Sequence, residues 1–179
     1  MRLFVAVDPP DAVVAEVAEL PRPEFRAVRW TTPAQWHVTV RFLGELDPGA
    51  LDGRRGLVAA LDTVAEDLAR HDAVPVRAEL GPTSAWFPGR RALQVPVSGL
   101  EEVADAVAGA TAAWGLPPEG EFRGHLTLAR TRGQARGPAA FAGAPIAAEW
   151  VVDELVLYSS ALGPGGSRYE AVHRVALGG

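Results

Sequence analysis

The segment Trp36-His37-Val38-Thr39-Val40 (WHVTV) has a counterpart in Gly124-His125-Leu126-Thr127-Leu128 (GHLTL). The chain has four histidines, and two of them stand in the same motif of histidine, apolar residue, threonine and apolar residue. Because alternate residues of a β-strand lie on one face, each motif predicts a strand that presents an imidazole and a hydroxyl together. On composition alone this coincidence has a chance on the order of one in a hundred, so the two strands are predicted to serve one site.

The residues around the two motifs predict strands and helices in a repeating order. Apolar or alternating runs predict strands over residues 2–8, 27–30, 36–43, 74–80, 91–97, 125–130, 150–160 and 168–177. Helices are predicted over residues 11–20 and 56–70, and from a capping box at Ser98–Glu101 to Trp114. Each half of the chain contributes helix, several strands and one motif strand, which predicts two similar lobes that face each other.

Turn and cap residues separate these elements. Asp8 is predicted to be the N-cap of the first helix, and Gly115 closes the last one. Residues 133–147 are rich in glycine, proline and alanine and predict a loop.

The composition limits the possible chemistry. A chain of 179 residues with 48% hydrophobic residues is expected to form one domain with a substantial core. It has no cysteine, which excludes disulfides and thiolate sites and fits a reducing, cytoplasmic setting. All 17 basic residues are arginine, so lysyl-adenylate, Schiff-base and Walker-type lysine chemistry are excluded. No apolar run has the pattern of a signal peptide or a membrane span.

The charge distribution is uneven. A net charge of −5 argues against a general nucleic-acid coat protein. Residues 122–137 are nevertheless basic and surround the second motif; they contain Arg123, Arg130, Arg132 and Arg136 and no acid. A solvated arginine loop is the ordinary interpretation of such a run, and a binding surface for a longer anion is the alternative.

The two motifs together supply groups suited to chemistry at phosphorus. An imidazole has an unperturbed pKa of about 6.5, so His37 and His125 can act as a general acid and a general base near neutral pH. Thr39 and Thr127 offer short, rigid hydroxyl donors to phosphate oxygens. A metal held by both histidines is the alternative, although neither motif carries a carboxylate at ligand spacing.

These residues resemble the motifs of the 2H phosphoesterase superfamily, and within it the RNA 2′,3′-cyclic phosphodiesterases also called 2′-5′ RNA ligases. The resemblance runs nearly end to end: its blocks here are RLFVAVD (2–8), WHVTVRFLGE (36–45), FRGHLTLAR (122–130) and ELVLYSSALGPGGSRYEAV (154–172). Gly124 stands where the family usually has proline, which is expected to change loop stiffness but not chemistry. A tryptophan expected on the strand over 91–97 is also absent, and Gln94 lies near its position.

The resemblance implies an α+β fold of two lobes, with pseudo-duplicated antiparallel sheets, helices outside and a central cleft that carries both motifs. Residues 1–179 would form one such domain. It also implies hydrolysis of a terminal 2′,3′-cyclic phosphate of RNA to a 2′-phosphate, with no metal and no cofactor. His125 would be the proton acceptor that activates water, His37 would be the proton donor to the departing 3′ oxygen, and Thr39 and Thr127 would hold the phosphate.

Two arginines are candidate phosphate ligands. Arg130 resembles the family's phosphate-binding arginine, but strict alternation puts it on the face opposite His125. Because an unpaired buried guanidinium is costly, the strand is expected to end or bulge near Ala129 and turn Arg130 toward the cleft. Alternation places Arg41 on the face of His37, as the second candidate.

Other residues and other functions stay open at this stage. His71 and His173 are predicted to be structural, and Phe42 and Trp86 are either core residues or stacking surfaces for a base. The same site would also suit ATP-independent 2′-5′ RNA ligation, hydrolysis of a small cyclic nucleotide phosphate, or binding of a nucleotide phosphate without turnover. The expected partners are RNA with 2′,3′-cyclic phosphate ends or small cyclic nucleotides, and the protein is expected to be a monomer that does not bind membranes.

Overall fold

A computed structural model describes residues 1–53, 56–115, 117, 120–163 and 166–178. The strands are β1 (Arg2–Val7), β2 (Val28–Trp30), β3 (Val38–Glu45), β4 (Arg77–Leu80), β5 (Ala85–Trp86), β6 (Ala92–Ser98), β7 (His125–Thr131), β8 (Ala148–Val151), β9 (Glu154–Gly163) and β10 (Gly166–Ala176). The helices are α1 (Asp11–Ala18), α2 (Leu57–Asp62), α3 (Val64–Arg70) and α4 (Glu101–Ala110). Among the described residues the strands form one sheet in the order β10-β9-β1-β3-β7-β6-β4-β8, with β2 beside β7 and β5 beside β6.

The two halves of this sheet meet where β3 pairs with β7 through Val38 and Leu126. Both side chains are fully buried. In the first half β1 pairs antiparallel with β3 and with β9, and in the second half β6 pairs antiparallel with β7 and with β5. The units β1-α1-β3 and β6-α4-β7 therefore repeat one arrangement, which confirms the predicted two-lobed α+β fold.

The helices tie the two halves together. Helix α4, which follows β6, packs on β3 of the other half and on α3, and α1, which follows β1, contacts β8. The buried apolar cluster accordingly runs through both halves and includes Val5, Val38, Leu43, Leu93, Leu126 and Val107. Because each fully buried valine or leucine stabilises the fold by about 1.5–3 kcal/mol relative to exposure, this shared core joins the lobes.

Two helix boundaries differ from the predictions. In each case a side chain at the boundary forms a hydrogen bond that the prediction did not include. The helix predicted over 56–70 divides at Thr63, which ends α2 and begins α3. The hydroxyl of Thr63 donates to the Ala60 carbonyl at 2.7 Å, a bond that bends helices. Asp8 does not cap α1; the N-cap is Pro10, and the Asp8 carboxylate accepts a hydrogen bond from the Tyr158 hydroxyl at 2.7 Å.

The capping box predicted at Ser98–Glu101 is also wrong. Ser98 is the last residue of β6, and the N-cap of α4 is Leu100, with no side-chain cap. Gly99 lies between them with a φ of 82°, a conformation that glycine adopts at little cost and that turns the chain from strand to helix. The helix ends at Ala110, before the predicted Trp114, and Gly115 follows with a φ of 69°.

The strand predicted over 150–160 is divided into β8 and β9 by Val152 and Asp153. The division occurs because β8 pairs with β4 in the second half of the sheet, whereas β9 pairs with β1 and β10 in the first half. Among the described residues, no helix is long and apolar enough to cross a membrane.

Candidate active site at the junction of the two half-sheets

The junction between β3 and β7 brings the two sequence motifs side by side. Val38 and Leu126 are in register and point into the core. Because side chains alternate along a strand, the histidine and threonine on either side of each of these residues share the opposite face. His37, Thr39, His125 and Thr127 therefore lie together, as the sequence predicts.

Both imidazoles are held in the same way. Nδ1 of His37 lies 2.9 Å from the carbonyl oxygen of Gln35, and Nδ1 of His125 lies 2.8 Å from that of Arg123. A carbonyl oxygen only accepts hydrogen bonds, so Nδ1 is the donor in each ring. The neutral form of each histidine therefore carries its lone pair on Nε2, which is left to act on a bound molecule.

Aromatic rings surround the two imidazoles. The ring of His37 lies 4.9 Å from Phe4 and 4.9 Å, edge-on, from Tyr169. The ring of His125 lies 4.8 Å from Phe87, also edge-on. These contacts remove water from both imidazoles and fix their planes.

The pKa values of both histidines are lower than usual. Burial lowers the pKa of His37 from 6.5 to about 4; the Gln35 carbonyl opposes this shift, and His125 and Arg130 add to it. Burial also lowers the pKa of His125, with the Arg123 carbonyl opposing and Arg130 contributing. Both imidazoles are therefore neutral near pH 7 in the free protein, and the positive charge of Arg130 acts on both of them.

A chain of hydrogen bonds connects the two motifs across the junction. Trp36, which precedes His37, donates from Nε1 to the Thr31 hydroxyl oxygen at 2.9 Å. That hydroxyl lies 2.8 Å from the carbonyl oxygens of both Thr127 and Leu128. The Thr31 backbone N–H also donates to the Leu128 carbonyl at 2.9 Å. Thr31 thus holds the backbone of β7 at the point where the second motif ends.

A β-bulge at this point turns Arg130 toward the cleft. In the β6–β7 ladder Gln94 pairs with Thr127 but Leu93 pairs with Ala129, so Leu128 is the extra residue. Leu128 and Ala129 are both buried, and Arg130 is exposed on the face of Thr127. The bulge predicted near Ala129 is confirmed, because one inserted residue reverses the alternation.

The prediction that Arg41 shares the face of His37 is wrong for the same reason. In the β1–β3 ladder Ala6 pairs with Thr39 but Val5 pairs with Arg41, so Val40 is the extra residue. Arg41 is 6% exposed, and its guanidinium donates to backbone carbonyls at the end of α4 and beyond it, those of Ala108, Thr111 and Trp114. Arg41 therefore stabilises the contact between β3 and α4 and does not reach the cleft.

The bulge in β3 instead turns Phe42 to the cleft face. Phe42 is 48% exposed, and the guanidinium of Arg2 lies 4.8 Å from the centre of its ring. Trp86 packs against the core and donates from Nε1 to the Pro138 carbonyl at 2.9 Å. Of the two aromatic residues that the sequence leaves open, Phe42 is thus the surface residue and Trp86 the packing residue.

These side chains line a cleft of about 260 Å³. Its lining residues are Arg2, Phe4, His37, Thr39, Phe42, Arg130, Ser160, Ser167 and Tyr169. His125 and Thr127 lie across the β3–β7 junction from His37 and Thr39. A larger cavity of about 440 Å³ lies between β3, α4 and residues 120–123. Of the described residues that line it, Phe42 is the one it shares with the cleft, and neither His37 nor His125 is among them.

The sequence motifs do not reveal several of the cleft residues. Phe4, Tyr169 and Ser167 come from β1 and β10. Alternation along β1 and β10 predicts which face of the sheet Phe4, Ser167 and Tyr169 occupy. It does not predict that they lie beside His37, because the order of strands in the sheet decides that.

Arg29 on β2 pairs in register with Arg130 but is not one of the described residues that line the cleft. Arg29 shares the sheet face of Arg130, and its guanidinium lies beside Gly166.

The other histidines have structural partners, as predicted. His71 is the C-cap of α3, with Nδ1 2.8 Å from the Asp67 carbonyl oxygen. His173 lies with Nε2 2.6 Å from the Asp62 carboxylate and joins β10 to α2. Within the described ranges, no group of three or more histidine, aspartate or glutamate side chains could hold a metal ion.

Gly124 has a steric role beyond the loop stiffness expected from the sequence. The Val97 backbone N–H donates to the Gly124 carbonyl at 2.9 Å. A Cβ at position 124 would collide with the Val97 carbonyl oxygen. Glycine therefore allows the chain to approach β6 closely just before His125.

Comparison with known proteins adds to this geometry. Residues 8–164 match the family model of the 2'-5' RNA ligase superfamily. TT0787 of Thermus thermophilus is similar in structure, with a TM-score of 0.74 and 28% identity over 99% of this chain and 98% of that chain. E. coli LigT complexed with 3'-AMP gives a TM-score of 0.68 and 24% identity over 98% of this chain and 97% of that chain. At this lower identity the likeness is one of fold. A comparison with curated protein sequences gives no match.

Proposed function

Because the chain belongs to the 2'-5' RNA ligase superfamily of 2H phosphoesterases, we propose that it hydrolyses the terminal 2′,3′-cyclic phosphate of RNA to a 2′-phosphate. The observation that carries this proposal is the matched pair of imidazoles. Each is bonded through Nδ1 to a backbone carbonyl, and the positive charge of Arg130 lowers the pKa of both. Two such groups on either side of a phosphorus atom suit acid–base catalysis.

In this reaction the non-bridging oxygens of the phosphate accept hydrogen bonds from Thr39, Thr127 and the guanidinium of Arg130. Nε2 of His125 takes a proton from a water molecule, whose oxygen forms a bond to the phosphorus. The bond between phosphorus and the 3′ oxygen breaks, and Nε2 of His37 gives its proton to that oxygen. The products are a 2′-phosphate and a free 3′-hydroxyl. The division of roles between the histidines follows the family resemblance.

The mechanism needs one imidazole to be protonated, although burial keeps both neutral in the free protein near pH 7. A bound phosphodiester carries a negative charge, which favours imidazolium and raises the pKa of both histidines. Substrate binding would therefore be coupled to the uptake of a proton. The cleft would then become competent for acid–base catalysis only when it holds an anion.

Ligation without ATP is the second candidate function. Replacing water by the 5′-hydroxyl of another RNA would give a 2′-5′ linkage through the same steps, and the family's description names this activity. Water is in great excess, so hydrolysis is the expected main reaction. Nucleotide phosphate is the common substrate feature in both cases, and the complex of E. coli LigT with 3'-AMP supports it.

We also infer that residues 1–179 act as a single two-lobed 2H phosphoesterase domain, as a cytoplasmic monomer without metal or cofactor. The apolar cluster shared by both halves and the packing of α4 on β3 support a single domain. The absence of cysteine supports a reducing compartment.

The test uses a short RNA that ends in a 2′,3′-cyclic phosphate, in the presence of chelator, with and without a 5′-hydroxyl acceptor RNA. The expected product is the 2′-phosphate, with ligated RNA as a minor product. A 3′-phosphate would contradict the assigned geometry. Tight binding without turnover would indicate a binding module, and turnover restored only by a divalent ion would indicate a metal-dependent reaction. Turnover of cyclic mononucleotides alone would redirect the assignment to small substrates.

A further inference from the structure

Arg2 on β1 is the second arginine that lines the cleft. It pairs in register with Glu45 at the end of β3. Arg130 lies toward the beginning of β3, because β7 runs antiparallel to β3 and pairs with it at Val38. Arg2 and Arg130 are therefore on opposite sides of His37 along the strand direction. None of the described residues that line the cleft carries a carboxylate, so both ends of the cleft suit an anion.

The guanidinium of Arg2 keeps its hydrogen-bond donors unpaired. Arg2 is exposed, and with the described part of the chain it forms neither a hydrogen bond nor an ion pair. Its guanidinium lies over the Phe42 ring, 4.8 Å from the ring centre, and this cation–π contact holds it in place. The carboxylate of Glu45, its partner in the ladder, lies 3.3 Å from the amino group of Met1. Arg2 is thus a positioned charge whose five N–H donors can bind a molecule that enters the cleft.

Two serine hydroxyls accompany Arg2. Ser160 on β9 pairs in register with Arg2 and, on its other side, with Tyr169 on β10. Residues in such a row share one face of the sheet, and Ser167, two residues before Tyr169, lies on that face as well. All four residues line the cleft. Neither serine hydroxyl has a hydrogen-bond partner within the described ranges, so a guanidinium and two hydroxyls can donate to the same ligand.

These donors fit the oxygens of a second phosphate. In the proposed reaction the cyclic phosphate lies at Thr39 and Arg130. A nucleotide at the end of an RNA chain carries another phosphate on its 5′ oxygen, one ribose away, whereas a free nucleoside 2′,3′-cyclic phosphate carries none there. Arg2 lies two residues from Phe4, whose ring is 4.9 Å from the ring of His37. Two residues of a strand span about 7 Å, a distance that a ribose and its 5′ carbon can bridge.

We propose that Arg2, together with Ser160, binds the 5′-phosphate of the terminal nucleotide, so that the site prefers the ends of RNA chains to free cyclic mononucleotides; this inference rests on the proposed function. Two N–H groups of the guanidinium and the serine hydroxyl donate to the non-bridging oxygens of that phosphate. Because this phosphate takes no part in the reaction, the contact is the same in the bound substrate and in the transition state. It therefore lowers KM and leaves kcat unchanged.

The test compares kcat/KM for three substrates: adenosine 2′,3′-cyclic phosphate, the same nucleotide with a 5′-phosphate, and the dinucleotide ApA with a 2′,3′-cyclic phosphate end. In the wild type the added 5′-phosphate should raise kcat/KM about tenfold, through KM, because a charge-assisted contact is gained. The dinucleotide should show at least the same gain. In Arg2→Gln both ratios to the unsubstituted nucleotide should fall to about one.

Two further variants separate the contact from a general effect of charge. Arg2→Lys keeps the charge but loses the planar fork, so it should retain part of the preference. Arg168→Gln is the matched control: it changes an exposed arginine between Ser167 and Tyr169, and alternation directs this arginine to the opposite face of β10. Arg168→Gln should keep the preference of the wild type, and equal losses in Arg2→Gln and Arg168→Gln would contradict a specific contact.

The outcomes distinguish this inference from the proposed function. Hydrolysis without any preference for the 5′-phosphate, or a preference that persists in Arg2→Gln, would overturn the inference and leave the proposed function intact. A preference for the dinucleotide alone would also overturn it, because the second nucleoside and not the phosphate would then be recognised. Hydrolysis of none of the three substrates would overturn the proposed function and this inference with it.

Discussion

Phe42 and Arg130 occupy equivalent positions in the two half-sheets, five residues beyond His37 and His125. In each strand one extra residue, Val40 or Leu128, forms a bulge that reverses the alternation. The repeated backbone thus presents an aromatic ring at one end of the cleft and a guanidinium at the other. At the aromatic end the guanidinium of Arg2 lies over the Phe42 ring, whereas at the other end Arg130 itself carries the charge.

Arg130 is expected to hold the phosphate. Arg130→Gln should lower kcat/KM about 100-fold, because a bidentate, charged donor to the phosphate oxygens is lost. It should also raise the pKa of His37 and His125, whose lowering it contributes to. The measurements are steady-state kinetics and NMR titration of the two histidines. Arg132→Gln, at an exposed arginine of the same segment, is the control; equal losses in both variants would contradict a specific contact.

Arg41 is expected to matter for stability and not for binding. Its guanidinium donates to the carbonyls of Ala108 and Trp114, so Arg41→Met should lower the free energy of unfolding by about 2–4 kcal/mol. Denaturant titration measures this loss, and kinetics below the unfolding transition should give a nearly unchanged KM. A large rise in KM with unchanged stability would contradict this structural role and indicate that Arg41 contacts the substrate.

The hydroxyl of Thr31 is expected to position Arg130 by holding the bulge in β7. Thr31→Val removes the bonds to the Thr127 and Leu128 carbonyls and the acceptor for Trp36. Stability should fall by about 1–2 kcal/mol and kcat/KM by about tenfold.

The matched control for that variant is Thr63→Val, which removes a hydroxyl bond to the Ala60 carbonyl far from the cleft. It should lose some stability and keep full activity. If Thr31→Val behaves in the same way, the hydroxyl supports the fold alone and does not position Arg130.

Features that depend on local strand geometry could be predicted from the sequence, and features that depend on neighbouring strands could not. The repeat of histidine and threonine at alternate positions predicts both strands and the face they share, because strand geometry alone sets that face. The alternation of side chains fails at Arg41, because a bulge at Val40 reverses it. A bulge depends on the pairing with the neighbouring strand, which the sequence of β3 alone does not specify. The bulge before Arg130 could be predicted only from the cost of burying its charge.

Tertiary contacts account for the other differences. Aspartate is a favoured N-cap residue, but the carboxylate of Asp8 accepts a hydrogen bond from Tyr158, which lies far away in sequence. Gln94 is an ordinary strand residue in the sequence, and the burial of its side chain becomes visible only once β6 lies beside β7. The order of strands in the sheet, which no local pattern specifies, decides both.

Acid is expected to destabilise the free protein partly through His37. Its pKa is about 4 in the folded protein and 6.5 without the fold, so between these pH values the unfolded chain binds more protons and stability rises with pH. Stability should therefore be lost as the pH falls from about 6.5 to about 4. Between pH 7 and pH 5 the wild type should lose about 1–2 kcal/mol more than His37→Gln. Denaturant unfolding at both pH values measures the difference, and equal losses would contradict a buried, neutral His37.

The most direct test of the two-histidine mechanism compares His37→Ala, His125→Ala and the double variant on RNA with a 2′,3′-cyclic phosphate end. His71→Ala, at the exposed C-cap of α3, is the control. Each single variant should lower kcat by about 100-fold or more, and the double variant should be little worse than either, because an acid and a base of one step act as a unit. Full activity in either single variant, or losses that multiply in the double variant, would contradict concerted action of the two imidazoles.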